Sequence, residues 1–175
     1  MLNVLAAAKY SALEALRDGR TVEIRALRQE DQAGLIAAVS RSSAQSLYRR
    51  FFGLKRHFSD QEIAYFLNVD FVNHVALVAV IEEGSKSVIV GGGRYVVHEA
   101  GKAEIAFAVV DAYQGQGIGR ALMRHLAGIA REAGLKELTA EVLPDNISML
   151  KVFEKSGLPL KVERESQAVH ITFQL

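Results

Sequence analysis

Gly115, Gly117 and Gly119 fall within five residues. They separate an apolar run, Ala103 to Val110, from a stretch whose apolar positions Ile118, Leu122, Leu126, Ile129 and Ala133 repeat at helical spacing. This order of strand, glycine turn and amphipathic helix restricts the fold more than any other segment, because it belongs to an α/β layer. Glycine adopts backbone angles that other residues avoid and lets a ligand come against the amides. The first amides of a helix have no partners inside it, and the helix dipole adds positive potential there. The loop therefore predicts an anion site, with phosphate as the natural ligand.

The flanking sequence supplies the rest of the layer. Leu2 to Arg17 has helical spacing, with Leu5, Leu13 and Leu16 sharing a face and Gly19 as the stop. Val22 to Leu27 alternates as a half-buried strand does, and Asp31 is placed to cap a helix carrying Leu35, Ile36 and Val39. Ser42 to Phe52 reads as a second helix ending at Gly53, and Ser59-Asp60-Gln61-Glu62 is a capping box opening a third. His74 to Ile81 is continuously apolar, which predicts a strand buried on both faces. A turn at Glu83-Gly84-Ser85 leads through Val88-Ile89-Val90 into three glycines and then Arg94 to Val97; glycines inside a strand predict a bulge or a close backbone approach. Leu138 to Leu143 is a further strand, and Pro144-Asp145-Asn146 opens a last helix stopped by Gly157. Short strands follow near 160–164 and 169–174. The sum is a mixed sheet with helices on both faces, in one domain over 21–175 preceded by a helical extension over 1–20.

Composition narrows the class. The 175 residues suffice for one core, and a net charge of +1 provides no global field toward nucleic acid or an anionic membrane. There is no cysteine, hence no disulfide, thiolate metal site or cysteine nucleophile. His57, His74, His98, His125 and His170 are scattered without ligand spacing, so no metal is expected. Lys9, Glu14 and Arg17 interrupt the first apolar stretch, which does not read as a secretion signal, and the expected location is the cytoplasm.

Several phosphate-binding loops share this strand, glycine turn and helix order. A P-loop needs a lysine and a hydroxyl that this segment lacks. A dinucleotide fingerprint needs a third glycine where Arg120 stands, although Glu141 lies where a ribose-binding acid would. A tight turn with no ligand is the plainest alternative.

The hexapeptide Gln114-Gly115-Gln116-Gly117-Ile118-Gly119 resembles the Gln/Arg-x-x-Gly-x-Gly/Ala signature of the GNAT acetyltransferases, with Asn146 opening the next helix and Gly157-Leu158 closing it. The resemblance spans Val22 to Leu175 and implies a mostly antiparallel central sheet flanked by helices. It also implies acetyl-CoA as cosubstrate. The pyrophosphate would lie on Gln114, Gly115, Gln116, Gly117, Ile118, Gly119 and Arg120, with Asn146 beside it and pantetheine against Val109, Val110 and Asp111. Ser46 to Phe52, Gly93-Arg94-Tyr95, Ala103 to Ala106 and Asn146 to Leu150 further resemble the acetyltransferase domain of bacterial protein-lysine acetyltransferases. That implies a protein lysine as acceptor, with a small-molecule amine second. A homodimer is an arrangement the sequence leaves open.

Acyl transfer to an amine needs the amine uncharged, and a lysine amine titrates near ~10.4, so a base is expected. Glu104 is the candidate, at the position the resemblance gives to the base. It shares an alternating face with Ala106 and Ala108, and partial burial there would raise its pKa; the alternative is a solvated glutamate at the start of a strand. The family's proton-donating tyrosine falls in the register of Phe153, which cannot donate; Tyr113 and Ser148 are weaker substitutes. Arg120 and Arg124 lie one turn apart as candidate phosphate contacts, and Tyr48, Arg49 and Arg50 would border the acceptor cleft. Direct attack in a ternary complex is the expected route. A non-catalytic acyl-CoA sensor is the rival reading, which Phe153 favours and Glu104 opposes.

Overall fold

The computed structural model describes residues 4–51 and 57–175. Its strands are β1 (Ser11–Ala15), β2 (Thr21–Ala26), β3 (His74–Glu83), β4 (Lys86–Glu99), β5 (Lys102–Val109), β6 (Glu137–Val142), β7 (Leu160–Arg164) and β8 (Val169–Gln174). They form one sheet in the order β1-β2-β3-β4-β5-β6-β8-β7, in which only β5 and β6 run parallel. This is the mixed, mostly antiparallel sheet the sequence implies. The first eight residues of β3 are buried, as a strand covered on both faces requires.

Helices cover both faces. α5 (Ile118–Glu132) and α6 (Ile147–Glu154) pack on one, where Leu122, Leu126, Phe107, Phe153 and Phe173 form the main core. On the other lie α2 (Gln32–Ser40), α3 (Ala44–Phe51) and α4 (Asp60–Leu67), over a smaller core of Leu27, Leu67, Ala76, Val78, Val80 and Ile89. The capping box at Ser59 and Glu62 forms with both reciprocal bonds. α3 matches the expected second helix, whose end at Phe52 and Gly53 lies outside the described residues. The glycine cluster meets both expectations. The register shifts by one residue opposite Ala79/Val80. A Cβ at Gly93 would stand 2.9 Å from both Leu126 Cδ1 and Phe107 Cβ, so glycine lets α5 rest directly on the strand.

Two expectations are corrected. The helix read over 2–17 is helical only at α1 (Val4–Ala8); the chain then extends, and β1 pairs antiparallel with β2 from Ser11↔Arg25 to Ala15↔Thr21. Leu16 enters the core at 6% exposure while Leu13 stays 73% exposed, so the two do not share a buried face. A free sheet edge on β2 outweighs a weak helical pattern. The hairpin is held onto α5 by the Tyr10 hydroxyl, which meets His125 Nδ1, and by Glu14, which accepts from His125 Nε2 at 2.6 Å and pairs with Arg124.

Asp31 precedes α2, but its side chain makes no cap bond to that helix. Its carboxylate takes two bonds from Arg25, each 2.8 Å, and the Arg28 N–H at 2.7 Å. Both side chains are largely buried, so a bidentate pair outcompetes a cap. Burial pushes the Asp31 carboxyl up, but the Arg25 guanidinium and the Arg28 amide outweigh it and hold it below the ordinary range.

Asp31→Asn is expected to cost about 3 kcal/mol at neutral pH by stranding Arg25. A depressed carboxyl stabilises fully above its unfolded pKa of ~3.9 and loses that contribution as pH falls through the folded value. The gap between wild type and variant in denaturant melts should therefore narrow in acid.

Candidate active site

β5 and β6 pair over only three positions, Lys102↔Glu137, Ala103↔Leu138 and Glu104↔Thr139. Beyond Glu104, β5 stays with β4 and β6 stays with β8, so the two parallel strands separate. A cleft of about 690 Å³ lies in the gap, bounded by β5, the glycine loop, α6 and part of α3. The Val110 N–H reaches Val90 O at 2.8 Å across β4. Val109, one residue earlier, therefore turns its N–H and C=O toward the cleft, and Phe107 does the same two residues back. Gln114 Nε2 donates to Val109 O at 3.0 Å and to Ser46 Oγ at 3.2 Å, tying the loop to β5 and α3.

The loop has the geometry of an anion cradle. Gly115 and Gly117 have φ of +79° and +99°, and a Cβ at either would meet nothing within 4 Å. Glycine is demanded by the backbone angle, and the space before it is open. Gly117 caps α5, whose first internal bond runs from Ala121 N to Gly117 O at 3.0 Å, leaving the amides of 118–120 without helical partners. Arg17 braces the loop from the N-terminal hairpin, its N–H donating to Gln116 O and its guanidinium to Gly115 O, each at 3.2 Å. Charge follows the same plan. Six cations line the cleft (Arg17, Arg49, Arg50, Arg120, Lys151, Lys155) against two acids, Glu104 and Glu141. A chain of net charge +1 thus concentrates positive potential where phosphates would lie.

The expected site residues divide. Glu104, Val109, Gln114, Gly115, Gly117, Gly119, Arg120 and Asn146 come together on the cleft wall. Val110 and Ile118 turn into the core. Gln116 holds Arg17 through its carbonyl, and Asp111 accepts the Ser43 N–H at 2.9 Å, fastening the approach to α3. Asn146 Oδ1 accepts from Met149 N at 3.3 Å, so it caps α6 while facing the cleft. Arg124 is committed to Glu14 instead of the phosphate region. The Tyr113 hydroxyl donates to Glu83 beneath the guanidinium groups of Arg20 and Arg41, which removes it as a proton donor. Phe153 is core, packed edge-on to Phe107 at 5.3 Å. Tyr48 is exposed, whereas Phe51 joins Phe58 and Phe66 in an aromatic cluster.

Glu104 differs from expectation in one respect. It is exposed at the point where β5 and β6 part, so the partial burial expected of it is absent, and its charged neighbour is Arg50. Arg49 and Arg50 border the cleft as expected, whereas Arg17, Lys151 and Lys155 carry no signal of it in the sequence. Arg17 comes from the N-terminal hairpin and the two lysines from α6 and its C-terminal cap, and no local pattern joins hairpin to helix; Arg49 reaches across from α3 to Asp145 O at 3.3 Å.

The Acetyltransferase (GNAT) family model matches residues 41–158. The chain belongs to the GNAT acetyltransferase family. It is 35% identical over 127 residues to an acetyltransferase of Pseudomonas aeruginosa, covering 72% of this chain and 68% of that protein. It is 37% identical over 117 residues to the acetyltransferase Pat of Mycolicibacterium smegmatis, covering 66% of this chain but 34% of Pat, about a third of that relative's length. Among solved structures, the GNAT domain of S. lividans PAT superposes with a TM-score of 0.85 at 36% identity, over 94% of this chain and 97% of that one. A Salmonella typhimurium acetyltransferase fold bound to acetyl-CoA superposes at 0.66 with 19% identity, over 88% and 92%.

As a GNAT acetyltransferase the chain uses acetyl-CoA, and the cleft suits it. Unpartnered amides at 118–120 and the flanking cations match the phosphates, and the outward edge of β5 matches the amide-bearing pantetheine arm. No helix among the described residues is long and apolar enough to cross a membrane. Gly117→Val forces a β-branched residue into a left-handed angle and fills the cradle. Its acetyl-CoA affinity by titration calorimetry should fall at least about tenfold, or ~1.4 kcal/mol.

Proposed function

We propose that this acetyltransferase moves the acetyl group to a primary amine, with a protein lysine side chain as the favoured acceptor, by direct attack within a ternary complex. The observation that carries the reading is the position of Glu104. It stands on β5 where the cleft opens, on one face with Ala106 and Ala108, whose small side chains leave room for the reacting groups. Its exposure leaves the carboxylate within reach of an incoming amine, directly or through one water.

Acetyl-CoA supplies an activated carbonyl at the end of the pantetheine arm. The Val109 N–H, turned into the cleft, is the group we assign to polarise that carbonyl, because a fixed amide needs no reorganisation as charge develops. Glu104 takes the proton that the amine sheds as its nitrogen bonds to carbon. The departing thiolate takes its proton from solvent, since Phe153 has none to give and Tyr113 is bound to Glu83. Holding both reactants between β5, α3 and α6 supplies the remaining acceleration through proximity. The lysine reading is supported by the likeness to Pat and to the S. lividans PAT domain, and by a cleft open to solvent at Glu104.

Glu104→Gln should leave acetyl-CoA affinity within about twofold and cut turnover by roughly 10²-fold or more. Thiol release from acetyl-CoA, measured with lysine-bearing proteins and with small amines, separates the acceptors. Stimulation by proteins supports the lysine reading, and stimulation by one small amine alone replaces it. Unchanged turnover in Glu104→Gln across the pH range removes Glu104 as the base.

A further inference from the structure

Beside the cleft lies a second cavity of about 160 Å³, roofed by α2, α3 and α4 over β3 and β4. It meets the cleft at Ser46, Arg50, Phe51, Ala108 and Val109, which line both. Its floor includes Gly92 and Arg94, the cross-strand partners of Ala108 and Ala106. They therefore face the same side of the sheet as Glu104. The lining is otherwise mostly apolar, with Leu35, Ile63 and Phe66 prominent. A cavity of about 150 Å³ holds a six-carbon ring, so this one has room for an acyl tail of about four or five carbons.

Two guanidinium groups border this apolar space without a direct ion pair; Arg50 has the exposed Glu104 as its charged neighbour, and Arg94 has no acidic neighbour among the described residues. Arg94 lies 4.7 Å over the Phe66 ring and donates to Phe66 O at 3.1 Å, with His74 Nε2 at 2.7 Å. Arg50 lies 4.7 Å over the Phe51 ring. Among the described residues no carboxylate comes within ion-pair distance of either, and residues 1–3 and 52–56 contain no aspartate or glutamate. Burial, with Arg50 nearby, pushes Arg94 down to about 10. Cations in an apolar wall are costly unless an anion joins them. They also repel an incoming ammonium, so this cavity is not the path of a lysine acceptor.

We propose that the cavity is an acyl subsite for a short dicarboxylic acyl group, such as succinyl, whose free carboxylate is held by Arg50 and Arg94. The proposal rests on the assignment of the cleft to acyl-CoA. Transfer from such a thioester is redox-neutral: the amine nitrogen bonds to the carbonyl carbon and the carbon–sulfur bond breaks. The amine proton passes to Glu104, the thiolate is protonated by solvent, and the distal carboxylate is unchanged.

Succinyl-CoA and butyryl-CoA carry four-carbon acyl groups that differ in the terminal charge, so their binding to the full chain isolates it. Titration calorimetry should show succinyl-CoA binding at least about tenfold more tightly than butyryl-CoA. Arg94→Met should abolish that preference and leave acetyl-CoA affinity unchanged, while Arg94→Lys should keep part of it. Equal or tighter binding of butyryl-CoA overturns the proposal, as does a preference that survives in Arg94→Met. If the variants do not fold, the wild-type comparison decides. Failure of acetyl-CoA itself to bind would instead overturn the cleft assignment, and this proposal with it.

Discussion

The parallel pairing of β5 with β6 ends after three positions, and the rest of the site depends on that ending. Antiparallel neighbours anchor each strand on its far side, β4 for β5 and β8 for β6, so both remain strands while they part. The separation leaves Phe107 and Val109 with backbone groups directed into a gap. Unpaired strand edges are ordinarily a liability. Here the edge is enclosed by α6 and the glycine loop, which leaves its amides and carbonyls facing the cleft.

The loop and α5 convert that gap into a directional site. The helix terminus lies at one end of the exposed β5 edge and Glu104 at the other, so the unpartnered amides and the exposed carboxylate are held apart along one strand. α5 is immobilised by contact with Gly93 and by the hairpin that Tyr10, Glu14 and His125 fasten to it. The same hairpin carries Arg17 to the loop carbonyls. The N-terminal residues thereby brace the loop they precede by nearly a hundred positions in sequence.

Much of this was legible in the sequence because it is local. The buried run of β3, the Ser59 capping box, the glycine turn and the helix after it are written in consecutive residues whose physics needs no distant partner. The features that were not legible depend on one. Ser11 to Ala15 carries a pattern too weak to define its own period, and the free edge of β2 decides it. Asp31, Arg124 and Tyr113 each have a residue type suited to the role first read for them, but Arg25, Glu14 and Glu83 claim them. The cations of the cleft come from four elements whose convergence only the fold determines. Glu104 was legible from the family resemblance together with the alternation that sets it on the face of Ala106 and Ala108, while its exposure follows from where β6 turns away.

The central claim is that acetyl-CoA lies along the outward edge of β5 with its phosphates on the start of α5. Amide hydrogen exchange with and without acetyl-CoA tests this most directly, because it reads those backbone groups residue by residue. The account predicts added protection at Phe107, Val109 and residues 115–120, with β1 and β7 unchanged. Protection confined to other elements, or none at the β5 edge under saturating acetyl-CoA, would contradict it.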